Sequence, residues 1–182
     1  MSIVLGNAGL TEVIFVKRGE KGYPYEERVG TVFKADYLDT LLLPLEKDKK
    51  VLFVGLGKEI VKEPSTSMEI SAKACKELKK YEISEYSFNV ENLKLNKDSF
   101  VNFAKGIYLS IKAKRSYKTD EKKEKIKVGI KGTSLDIIPL LKKAEVVSDS
   151  IIFARDMVNA PSNYLHPKEF TCLLYTSPSP RD

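Results

Sequence analysis

The run Val51–Val54, Val-Leu-Phe-Val, has no polar position. Successive side chains of a strand point to opposite faces of a sheet, so a strand without a polar residue is covered on both sides. That requirement selects a central strand with further layers above and below it. The neighbouring segments supply the rest of such a sheet. Thr11–Gly19, Asp39–Glu46 and Lys50–Gly57 read as strands, the last two joined by the turn-like Glu-Lys-Asp-Lys-Lys. Glu85–Asn92 and Lys125–Ile130 read as two more.

Helical patterns alternate with these strands. Thr66 followed by Glu69 has the spacing of a capping box, and Ile70, Ala74 and Leu78 form one apolar stripe of a helix running to about Lys80. Asn96 is placed to cap the next helix, in which Phe100, Phe103, Ala104, Ile107, Tyr108 and Ile111 recur at three-and-four spacing. A last helix is expected from Thr133, with Asp136 completing a variant capping box. Its stripe runs through Ile137, Leu140, Leu141, Ala144, Val147, Ile151, Ala154 and Val158. That is long for a helix serving one compact domain and reads as a linking helix, ended by Pro161 and followed by an irregular turn over Ser162–Pro167. The alternation implies an α/β fold, a three-layer α/β/α sandwich with a long C-terminal linking helix.

Charge and composition exclude several classes. With 42% hydrophobic and 31% charged residues the chain has enough apolar material for a core, and no apolar run is long enough to span a bilayer. The N-terminus lacks the basic start, apolar stretch and small-residue cleavage site of a secretory signal, so a cytoplasmic location is expected. The net charge is +6, with much of the basic excess in Lys112–Lys127, where acids are interspersed and Tyr117 is the sole aromatic. A single-strand-binding surface interleaves cations with stacking rings. This stretch reads instead as a solvated loop, and nucleic acid is not an expected partner.

Few residues are candidates for chemistry. Gly55 and Gly57 follow the buried strand, where a phosphate-binding loop would sit, but Ile60 stands where the dinucleotide fingerprint needs its third glycine, and the Walker pattern is absent. A tight turn is the simpler role. His166 is the sole histidine and Cys75 lies beside an apolar helix face, which suits a buried structural thiol. Lys131 and Asp136 have the spacing of a Lys-Gly-x-x-x-Asp metal segment, yet the Asp opens a helix and no converging acids accompany it. No catalytic, cofactor-binding or metal residue is therefore assigned in this chain.

Three segments together carry a resemblance. Ala154–Thr171, Ala-Arg-Asp-Met-Val-Asn-Ala-Pro-Ser-Asn-Tyr-Leu-His-Pro-Lys-Glu-Phe-Thr, resembles the entrance to the catalytic domain of leucyl (cytosol) aminopeptidases, with Arg155, Asp156, Val158, Asn159, Pro161, Asn163 and Pro167 matching. Val51–Glu59 is similar to that family's Val-Gly-Leu-Gly strand and turn. Phe103–Asp120 resembles its Gly-x-x-Leu-x-x-Tyr-x-Phe-x-x-Tyr-Lys helix, departing from it around Lys112–Lys114. The resemblance implies a macro-like N-terminal domain and a parent enzyme that removes N-terminal residues from peptides with two divalent ions, zinc or manganese. It also implies a homo-hexamer.

The final segment has a different origin in this reading. Cys172–Asp182, back-translated, resembles one frame of a transposase-based sequencing adapter, so the native sequence is expected to stop at Thr171; a Ser/Pro-rich terminus is the alternative. The expected organisation is an N-terminal α/β domain over 1–132, a linking helix over 133–160, a stub of the catalytic domain over 161–171 and a non-native tail over 172–182. The expected function is that of an inactive N-terminal fragment of a metalloaminopeptidase. A stand-alone macro-like module for a nucleotide or other anion is the competing expectation, resting on fold analogy.

Overall fold

The structure, a computed structural model, describes residues 2–6, 8–46, 48–58, 64–112, 126–161 and 165–176. Its elements in chain order are β1 (Ser2–Leu5), β2 (Thr11–Val16), α1 (Glu26–Val29), β3 (Thr40–Pro44), β4 (Lys50–Gly55), α2 (Pro64–Lys80), β5 (Glu85–Asn89), α3 (Lys97–Ile111), β6 (Lys127–Lys131), α4 (Ile137–Asn159) and α5 (Pro167–Thr176). The six strands form one sheet in the order β1-β6-β5-β2-β4-β3. All neighbours are parallel except the edge pair β3 and β4, which is antiparallel.

Register sets the two faces. Val13 lies opposite Leu52 and Phe88, and Phe15 opposite Val54, so these residues share the face that receives the helices. On that face Ile70, Ala74 and Leu78 of α2 and Phe100, Phe103 and Ile107 of α3 are all fully buried, as their spacing requires. The Phe103 ring meets Phe88 edge-on at 5.3 Å and Phe15 at 5.8 Å, geometries that use the ring quadrupole well. Helices α2 and α3 approach closely because Gly106 has no side chain: a Cβ there would lie 2.3 Å from the Met68 carbonyl oxygen. The Ser67 and Ser71 hydroxyls, buried in the same seam, donate to the Ser99 and Phe103 carbonyls at 2.9 and 2.8 Å. These contacts satisfy polar groups that burial would otherwise penalise.

Helix α4 packs on α3 over its first half, with Ile137, Ala144 and Ser148 buried. Lys112, at the end of α3, reaches Asp149 and Glu145 on α4 and lies 5.1 Å over the Tyr108 ring. Beyond Ser148 the apolar stripe loses its cover: Ala154 is exposed and Val158 is 85% exposed.

The opposite face of the sheet is closed differently. Ile14, Val16, Val51 and Phe53 pack against Tyr23, Val29, Phe33 and Ala35, which belong to α1 and the loops around it. Toward β6 this face carries the small residues Ser87 and Gly129, and the chain after β1 lies directly on them: a Cβ on Gly129 would sit 2.3 Å from the Gly6 carbonyl oxygen. The Ala8 amide donates to Ser87 Oγ at 2.6 Å. The layered α/β fold expected from the sequence is thus present, with three helices on one side and mainly coil on the other.

Several boundaries differ from the sequence reading. Helix α2 begins at Pro64, so Thr66 lies inside it rather than at its N-cap; a proline is well suited to the first helical position because its missing N–H would have no partner there. Glu69 of the expected box instead accepts the Tyr37 hydroxyl at 2.5 Å. Asn96 does cap α3, accepting the Ser99 amide at 2.8 Å. Helix α4 starts at Ile137, not Thr133; Asp136 occupies its N-cap position without a side-chain cap bond, and Thr133 Oγ1 accepts the Leu135 amide in a preceding turn. Strands β1 and helices α1 and α5 were not anticipated. Helix α5 runs across the Thr171–Cys172 junction to Thr176. The charged loop over 113–125, Ser162 and Asn163 of the motif before α5, and 177–182 of the tail lie outside the described residues. No described helix is long and apolar enough to cross a membrane.

Candidate functional site

In open parallel sheets, ligands bind outside the carboxyl ends of the strands where the strand order reverses. Here the chain leaves β2 toward β4 and later returns to β5 on the other side, so the switch point lies between β2 and β5. Its walls are Val16–Glu20 after β2, Gly55–Gly57 after β4 and Asn89–Asn92 after β5.

Many backbone donors of these walls are already engaged. The amides of Gly55, Leu56 and Gly57 donate to the carbonyls of Asp39, Val16 and Ala35 at 2.8, 2.9 and 3.1 Å. Arg18 N–H donates to the Gly57 carbonyl at 2.9 Å and Val90 N–H to the Lys131 carbonyl at 3.0 Å. Lys17 N–H donates to a Glu20 carboxylate oxygen at 2.8 Å, and Glu91 N–H to Asn89 Oδ1 at 3.3 Å. A phosphate cradle needs several convergent free N–H groups. These do not converge on open space.

Gly55 and Gly57 therefore do the work of a tight junction. A Cβ on Gly55 would lie 2.1 Å from the Asp36 carbonyl oxygen, and Gly57 has φ +73°. The absent side chains let Ala35–Asp39 lie directly against the end of β4. That segment holds Ala35 at φ 54° and Leu38 at φ 62°, left-handed conformations that non-glycine residues adopt only when surroundings fix them. Leu38 N–H to the Gly55 carbonyl at 3.0 Å is one such restraint.

Several charged groups of the crevice are also paired. Glu12 holds Lys131 at 2.7 Å and accepts Asn89 Nδ2 at 3.3 Å, and Arg18 reaches Asp36 at 2.7 Å. Lys131 and Asp136 consequently serve separate purposes, one in a pair across the sheet and the other at a helix start. His166 is exposed, its carbonyl accepting the Phe170 amide at the start of α5. Cys75 is buried, and burial pushes its thiol up to about 12; Tyr86, whose hydroxyl lies 3.5 Å from the sulfur, is also shifted upward by burial. A thiol so protonated is no nucleophile at neutral pH. Among the described residues no three His, Cys, Asp or Glu side chains converge as a metal site requires. The donor set here does not fit the two ions the resemblance implies, and no step through them is assigned to these residues. The Asn92–Glu20 contact across the crevice, 3.3 Å, had no sequence signal because its partners are far apart in the chain.

No protein-family model matches the chain. A curated relative, putative leucine aminopeptidase 1 of Oryza sativa subsp. japonica, is 37% identical over 81 residues, covering 42% of this chain and 14% of its own length. Among solved structures, the bottromycin maturation enzyme BotP superposes with a TM-score of 0.71 at 16% identity, over 92% of this chain and 36% of that one. A tomato leucine aminopeptidase mutant gives 0.70 at 17% identity, over 91% of this chain and 38% of its own. The chain thus resembles leucine aminopeptidases in sequence and shares the fold of these solved chains, while spanning well under half the length of each.

Proposed function

We propose that this chain is the N-terminal α/β portion of a metal-dependent leucyl aminopeptidase and carries none of the parent's catalytic residues. The observation that carries the reading is the agreement of two independent likenesses. Local sequence identity to a leucine aminopeptidase and a fold match over nine-tenths of this chain point to the same kind of protein. BotP, whose fold is similar, has also been solved in complex with Mn, which supports a divalent-metal parent. In this reading residues 133–160 link the N-terminal domain to a catalytic domain, 161–171 begin that domain, and 172–182 are non-native. Removal of N-terminal residues from peptides, zinc or manganese dependence, hexameric assembly and a cytoplasmic location belong to the parent. The crevice geometry speaks against the alternative of a free-standing module for nucleotides, because the amides of Lys17, Arg18, Gly55, Leu56 and Gly57 are spent on the protein's own acceptors.

Reading the gene through the codon for Thr171 tests this directly. The expected result is an open frame that continues into a domain bearing clustered Asp, Glu and Lys metal ligands. A native stop at that point would overturn it. Release of leucine from leucyl amide by the purified chain, abolished by a chelator, would overturn the assignment of catalysis to another domain.

A further inference from the structure

We infer that the switch-point crevice contains an oxyanion subsite that is filled by the chain's own Glu20. The inference concerns the fold alone and stands apart from the peptidase reading. Two donors from two different strand ends meet on this carboxylate. Lys17 N–H, the first amide after β2, donates to Glu20 Oε2 at 2.8 Å. Asn92 Nδ2, beyond β5, donates to Glu20 Oε1 at 3.3 Å. The same carboxamide nitrogen lies 3.4 Å from the Phe15 carbonyl oxygen, which fixes it at the end of β2. Glu20 is brought there by a turn closed by its own amide on the Lys17 carbonyl at 3.0 Å.

A carboxylate and a phosphate oxygen edge present the same chemistry to an N–H donor: negative charge and in-plane lone pairs. The location is the one where a sheet of this topology offers such donors to a diffusible ligand. A tethered carboxylate competes at high effective concentration, so a free anion must displace it and pay for its repulsion. The amides of Gly55, Leu56, Gly57, Arg18 and Val90 are engaged by backbone acceptors and cannot be released without opening the fold. Glu20, by contrast, holds the Lys17 amide through a side chain that can swing aside. Its removal, rather than any change to the glycines, is what exposes donors. The chemical class that then fits is a small oxyanion such as phosphate or the terminal group of a pyrophosphate.

The probe is inorganic pyrophosphate titrated into the full 182-residue chain, read from the ¹⁵N–¹H signals of the Lys17 amide and the Asn92 carboxamide. Wild type is expected to show no saturable shift at these groups. Glu20→Ala is expected to show saturation at both, with affinity at least about tenfold above wild type, the size of one charge-assisted hydrogen bond recovered. Glu27→Ala, an equal change of charge on the exposed α1, is expected to behave as wild type. The proposal is overturned if wild type saturates as tightly as Glu20→Ala, if Glu27→Ala gains as much, or if folded Glu20→Ala gains nothing. Should Glu20→Ala unfold, Glu20→Gln, which keeps the side-chain shape and loses the charge, carries the same test. A gain at the two signals supports the proposal and its absence overturns it.

Discussion

The two faces of the sheet are sealed by opposite means. On the helical face, side chains fill the space: Phe15, Phe88 and Phe103 form a ring cluster beneath α2 and α3. On the other face, much of the seal is backbone against backbone. Gly55 admits Asp36, and Gly129 admits Gly6 and Ala8, at distances no Cβ would allow. Volume supplied by side chains can be reduced and leave a cavity, whereas a backbone contact can only be disrupted by adding atoms. The two faces should therefore fail under opposite substitutions.

The largest effect is expected on the helical side. Phe103→Ala removes a fully buried ring with two aromatic partners and should cost about 3–5 kcal/mol of unfolding free energy. Chemical denaturation would measure it. Gly55→Ala should cost about 1–3 kcal/mol, the range for overpacking, since the Asp36 carbonyl has to move. If Gly55→Ala proved the costlier of the two, the backbone seal would be the principal one and the contrast would be reversed. Adding a methyl at the helical seam, Gly106→Ala, offers a check, because Met68 and Ser71 approach it as Asp36 approaches Gly55.

A smaller effect distinguishes the faces by pH. Burial under the helices raises the Cys75 thiol from 9 to about 12, so the folded chain retains a proton that the unfolded chain releases. That contribution is complete below pH 9 and is lost as the pH rises toward about 12. The stability of wild type should consequently fall more steeply over this window than that of Cys75→Ala, as measured by urea unfolding at a series of pH values. Equal slopes would show that the thiol is hydrated in the folded state. The smallest effect is expected from deleting Cys172–Asp182, which should leave Tm unchanged within error. A clear drop would mean that α5 contributes to one of the two seals.

This contrast also explains what the sequence made legible. Phe100, Phe103, Ala104 and Ile107 announce the helical face because periodicity is a property of side chains, and each of them is buried. Val51–Val54 announced cover on both sides and received it. The identity of the second cover was hidden. Nothing local in Ala35–Asp39 signals a chain held at positive φ, because the restraints come from the distant end of β4. The capping spacing at Thr66 and Glu69 misled for a related reason: Tyr37, remote in sequence, takes the glutamate. At the crevice, Gly55 and Gly57 were legible as a tight turn, but the Glu20–Asn92 bridge depends on which strands become neighbours. Strand order is fixed by the whole sheet, and no local spacing encodes it.

Helix α4 gives the molecule a cantilever. Its 23 residues make a rod of about 35 Å, clamped to α3 by Ile137, Ala144 and the Lys112 contacts and more exposed over its outer half, where Phe153 and Val158 lie open. The overhang from Ser148 to Asn159 is about 16 Å long at the helical rise. A tilt of about 5° at the clamp therefore carries the far end through more than 1 Å, with the rod itself staying straight. Whatever is joined at Asn159 registers small rearrangements between α3 and α4 as translations, and its thermal wander is set by the stiffness of that one helix-helix seam.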